Sequence, residues 1–90
     1  MTINGLRLEQ TCGACPEQYD VFNDVGRQVA YFRLRHGLFY AQCPYVGGET
    51  VYEVNTIGDG LFDESERERQ LYLATFAVLN WIVENTLGRK

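Results

Sequence analysis

Ninety residues with 46% hydrophobic, 13% aromatic and 22% charged side chains are too apolar for a disordered chain and sufficient for one small core. The net charge of −4 is lopsided, with four Arg against four acids in residues 1–48 and four bases against eight acids in residues 49–90. That balance excludes strong long-range attraction to a polyanion, and the richest apolar stretch, Leu73–Val83, is too short and too interrupted by Thr75 and Asn80 to cross a membrane.

The start, Met1-Thr2-Ile3-Asn4-Gly5, has neither the basic residues nor the apolar run of a secretory leader, and three cysteines make an odd set. Both features predict a reducing, cytoplasmic setting. Without internal repeats, low-complexity tracts or Ser/Pro-rich linkers, a single domain over residues 1–90 is the simplest reading.

In chain order, Ile3–Thr11 alternates weakly and reads as a first strand, broken by Cys12-Gly13-Ala14-Cys15-Pro16. Tyr19–Asn23 follows as a short strand, Asn23–Gly26 has turn composition, and Val29–Arg35 is rich in β-forming residues. His36-Gly37 makes a tight reversal, Leu38–Cys43 returns, Pro44–Thr50 loops, and Val51–Ile57 is the last strand. About five strands over residues 3–57, joined by short connections, predict an antiparallel meander with one face to be covered.

Only the C-terminal segment remains to cover it. Asp63 followed by Glu66 is a capping-box spacing, and the acids Glu64 and Glu66 suit the positive end of a helix, so a helix is expected from about 64 to 87. Gly88 supplies the stop, with Arg89 and Lys90 at the negative end. The fold class is therefore α+β, a sheet packed on one long C-terminal helix. Asp63, Glu64, Glu66 and Glu68 then belong to a solvated helix face, as capping residues and partners of Arg67 and Arg69.

From Leu71 onward the helix is apolar almost all round. Leu71, Ala74, Val78 and Ile82 form one stripe, and Tyr72, Phe76, Leu79 and Val83 form the next. A single helix on a small sheet hides only part of its circumference, which leaves Leu73, Phe76, Trp81 and Val83 as candidates for an interface, either with a second copy or with another protein. A sheet curved further round the helix would account for the same pattern.

On the sheet, alternation puts Phe32, Leu34, Phe39 and Ala41 under the helix. The opposite face carries Tyr31, Arg33, Arg35, Tyr40 and Gln42, with Glu53 expected opposite the arginines. Rings that stack and guanidinium groups that pair with phosphates could form a single-stranded nucleic-acid platform. Ordinary cross-strand pairing on a solvated face explains them too, and the acidity of the chain and its lack of lysine before Lys90 favour that explanation. Tyr and Arg also suit a protein-binding face.

Cys12 and Cys15 have the spacing of zinc knuckles and dithiol enzymes, but no second C-x-x-C or paired histidines accompany them, and Pro16 with a strand replaces the helix a redox motif requires. Extended residues between His36 and Cys43 separate them by about 23 Å at roughly 3.3 Å per step, so one ion cannot hold both. The only zinc arrangement consistent with a meander is Cys12, Cys15, His36 and Asp59 on one rim. Structural thiols and a turn histidine are the simpler account, so no cofactor is expected.

A catalytic residue is not expected either. The one histidine lies in a turn, the one serine, Ser65, lies in a charged helix start, and Gly58-Asp59-Gly60 lacks the lysine and further glycines of a phosphate loop. The expectation is a non-enzymatic interaction module, a regulator or inhibitor that binds a protein partner or itself. Accessory proteins of phages and mobile elements offer an analogy. Nucleic-acid binding through the Tyr/Arg face, and a zinc- or thiol-dependent activity at the Cys12/Cys15 rim, are the alternatives.

Overall fold

The structure is a computed structural model and describes residues 1–11 and 16–86. Six strands, β1 (Thr2–Ile3), β2 (Leu6–Gln10), β3 (Glu17–Phe22), β4 (Gln28–Arg35), β5 (Leu38–Cys43) and β6 (Glu49–Asn55), form one antiparallel sheet in chain order, and α1 (Arg67–Thr86) packs across it. The α+β meander is as expected, with one more strand than the sequence reading counted.

The extra strand arises within the segment expected as one strand, Ile3–Thr11, which belongs to two, β1 and β2. Asn4 and Gly5 both take positive φ, 54° and 79°, and fold the segment into a hairpin in which Ile3 faces Leu6. A two-residue turn with both central residues at positive φ matches the twist of the strands it joins, and Asn-Gly is the dipeptide that accepts it most readily. His36 and Gly37, at 55° and 74°, do the same between β4 and β5.

The covered face follows the period-2 pattern. Leu6 and Leu8, Tyr19 and Val21, Ala30, Phe32 and Leu34, and Phe39, Ala41 and Cys43 join Leu71, Ala74 and Val78 of the helix in one core. Phe39 sits at its centre, edge-on to Phe32, Tyr52 and Phe62 at centroid distances of 5.7, 6.2 and 4.8 Å. A second tie links the first hairpin to the helix, because Asn4 Nδ2 donates to Thr75 Oγ1 at 3.0 Å.

The regular helix begins at Arg67, three residues after the expected start. Asp63 caps as predicted, accepting from the Ser65 N–H at 3.1 Å, but residues 64–66 form a tighter turn. Its end at about Leu87, the Gly88 stop and the terminal bases lie outside the described residues. None of the described helices is long and apolar enough to cross a membrane.

Candidate functional site

The least expected feature is a charged cluster under the start of α1. Glu17 opens β3 on the covered face and is only 2% exposed. Its carboxylate accepts from Arg67 Nε at 3.0 Å, from Arg67 Nη2 at 3.1 Å, from the Phe62 N–H at 3.0 Å, and from the Tyr19 hydroxyl. Burial alone would raise the Glu17 carboxyl, but Arg67, Tyr19 and the Phe62 N–H outweigh it and hold the group below the ordinary carboxylate range. Burial and the same carboxylate push the Tyr19 phenol up. The donors saturate the carboxylate, so it works as a clasp and has no spare lone pair for chemistry.

Beside it, Glu66 is also buried, which corrects its assignment to a solvated face. Its carboxylate receives the N–H groups of Ile57 at 3.0 Å, Gly58 at 2.9 Å and Asp63 at 3.0 Å. The capping box is thus real, but the same side chain also ties the end of the last strand to the helix start. Burial opposes ionisation here too, and the three backbone donors reverse it, so Glu66 also lies below its usual value.

These two depressed carboxyls set a pH dependence. Their stabilisation is complete above the unfolded carboxylate value of about 4.3 and is lost as pH falls through the lower folded values. The thermal midpoint is expected to drop between about pH 4.5 and pH 3, and a Glu17→Gln, Glu66→Gln double variant should drop less over that interval. Equal slopes for the two proteins in melts followed by circular dichroism would contradict this assignment.

On the open face of the sheet, the register aligns Gln18, Arg33, Tyr40 and Glu53 in one cross-strand row, and Asp20, Tyr31, Gln42 and Thr50 in the next. The residues named from the sequence do share that face, but Glu53 lies beside Tyr40 rather than beside Arg33 or Arg35. Tyr31 is 9% exposed, and its hydroxyl donates to Gln18 Oε1 at 3.2 Å, so its ring has no free face on which a base could stack. Tyr40 and Arg33 are half-buried, the Arg33 Nε is buried without a hydrogen-bond partner among the described residues, and Arg35 is exposed. Arg7 lies over the Phe22 ring at 4.6 Å and pairs with Glu9, and Gln28 donates to Asp20 at 3.2 Å. Most of this face is occupied by its own cross-strand pairs.

The outer face of α1 is different. Tyr72, Phe76 and Val83 are 52, 51 and 53% exposed and follow one another at helical spacing, with half-buried Leu79 completing the stripe. At 3.6 residues per turn these four lie within roughly 60° of arc. Of the residues expected to be left wet, Phe76 and Val83 are. Leu73 is half-buried, and Trp81 turns toward the core and donates from Nε1 to Glu49 at 3.0 Å. Tyr72 belongs in the set instead, because α1 buries Leu71, Ala74, Thr75 and Val78, and that face is centred about 120° round the axis from this stripe.

At the rim proposed for zinc, His36 and Asp59 are exposed, and the Gly37 N–H donates to the Asp59 carbonyl at 2.7 Å, so the two loops do meet. Cys12 and Cys15 lie outside the described residues, and among the described residues no group of three His, Cys, Asp or Glu is placed to share an ion. Cys43 belongs to the opposite rim. Burial, with Glu49 adding to it, pushes its thiol up to about 12, so it is protonated at neutral pH.

No protein-family model, curated protein or solved structure matches the chain.

Proposed function

We propose that this chain is a non-enzymatic protein-interaction module whose contact surface is the outer face of α1. The observation that carries the proposal is the stripe of Tyr72, Phe76 and Val83, three large apolar side chains each about half in water on a rigid element, joined by Leu79, which also packs on the core. Covering the remaining half of each is worth on the order of 1 kcal/mol per side chain, at the scale of full side-chain burial. The open sheet face supports a contact role less well, since Tyr31, Gln28, Gln42 and Arg7 are each engaged by a neighbour on the same face. The buried Glu17 carboxylate is saturated by its four donors and the buried Cys43 thiol is held protonated, so neither of these two groups is free for chemistry.

Photo-crosslinking tests the surface directly. With Phe76→benzoylphenylalanine in the full chain, illumination in the cell of origin is expected to give a discrete protein adduct. Tyr40→benzoylphenylalanine, on the open sheet face, should give little. If position 76 yields no adduct, or none beyond that at position 40, the outer face of α1 is not the contact surface.

A further inference from the structure

The stripe reads almost the same in both directions. Tyr72, Phe76, Leu79 and Val83 are separated by four, three and four residues, a spacing symmetric about the midpoint between Ala77 and Val78. Two such helices laid antiparallel across a two-fold axis at that midpoint bring Tyr72 against the partner's Val83 and Phe76 against the partner's Leu79. Every large apolar residue of the stripe then meets another, as an isologous contact requires. Sliding one helix by a single turn leaves one end of the stripe in water.

Charge selects the same arrangement. Arg69 and Glu84 are exposed at opposite ends of the stripe, and neither makes an ion pair among the described residues. Both lie on one flank of the stripe, Arg69 about 50° and Glu84 about 110° round the axis from its centre at 3.6 residues per turn, and Glu84 lines a groove on the β6 side with Glu49 and Thr50. A two-fold axis perpendicular to the helices places like flanks together. In the apolar register, Arg69 stands opposite the partner's Thr86, two residues from the partner's Glu84, or about 3 Å along the axis. A parallel pair, with its axis along the helices, instead sends like flanks to opposite sides and leaves Arg69 about 22 Å along the axis from the partner's Glu84, so no such pair forms.

Resting on the reading of α1 as the contact surface, we infer that its occupant is a second copy of this chain, paired antiparallel about an axis between Ala77 and Val78, with Arg69 reaching the partner's Glu84 at both ends. The sheet edge at β6 is a weaker route to the same stoichiometry. Its ladder shifts register at Val51, and an irregular edge strand is a poor template for a further strand.

The test uses the purified full chain under reducing conditions, with mass measured by sedimentation across a concentration series. The expected result is a reversible dimer that Phe76→Arg converts to monomer while its melting profile remains cooperative. At low salt, Arg69→Glu and Glu84→Arg should each weaken the dimer by about tenfold, since two symmetric surface pairs turn repulsive, and the combined swap should restore it. A monomer at every concentration overturns the inference. So does a dimer indifferent to Phe76→Arg, which would indicate edge pairing through β6, or a combined swap no tighter than the single ones. A monomeric purified chain that still gives a heavier adduct at position 76 in cells leaves the contact surface standing and removes only the second copy as its occupant. With no adduct at all, the surface itself falls.

Discussion

Replacing Glu17 by alanine is expected to destabilise the fold by about 3–5 kcal/mol, the scale for breaking a buried ion pair from one side. The loss would strand four donors at once: the Tyr19 hydroxyl, the Phe62 N–H and two nitrogens of Arg67, of which only the guanidinium has another carboxylate, Glu64, at 2.7 Å from Nη1. Against a total of about 5–15 kcal/mol for a small domain, such a loss would bring the unfolding midpoint in urea down by about a fifth or more. The sharper comparison is with Glu17→Met combined with Arg67→Met. Two apolar side chains of similar volume remove the charge problem from both sides, so the double variant should be more stable than Glu17→Ala alone. If Glu17→Ala costs less than about 1 kcal/mol, the clasp adds little and the helix is held by the core.

The second large effect is expected at Phe39. Phe39→Ala should cost about 3–5 kcal/mol, because the ring is fully buried and the surrounding side chains can only partly close the space it leaves. Phe32, Tyr52 and Phe62 each lose an edge-to-face neighbour, so strands on both sides of β5 and the loop before α1 are loosened together. Phe76→Ala on the outer helix face serves as the contrast. Half of that ring is already in water, and the monomer should change by less than about 1 kcal/mol. Denaturation of the two variants at a concentration where the chain is monomeric separates core rings from contact rings. A large monomer effect at Phe76 would mean that its ring is structural.

How legible each feature was depended on the reach of the interaction behind it. The helix cap, written in Asp63 and Glu66 three residues apart, was readable because both partners lie within one turn. Asn4-Gly5 is an equally local hairpin signal, but the weak alternation of Ile3 to Thr11 runs across it and lets the segment read as one strand. The Glu17 clasp had no local signal at all. Glu17 looks like any surface acid beside Gln18, and its partner Arg67 is 50 residues away. Glu66 was half legible, since its capping role is local while its bonds to Ile57 and Gly58 come from a neighbouring loop.

By itself the sequence determined the class of the fold, the faces of its strands and the existence of a surplus of apolar surface on the helix, because strand alternation, turn chemistry and helical periodicity act over a few residues. Only the tertiary structure decided which third of α1 stays in water, why Trp81 turns inward to Glu49 while Tyr72 remains outside, and where a buried carboxylate finds its cation. Those outcomes depend on how far a twisted sheet wraps a rod, and on pairs of side chains that meet only after the chain has closed on itself.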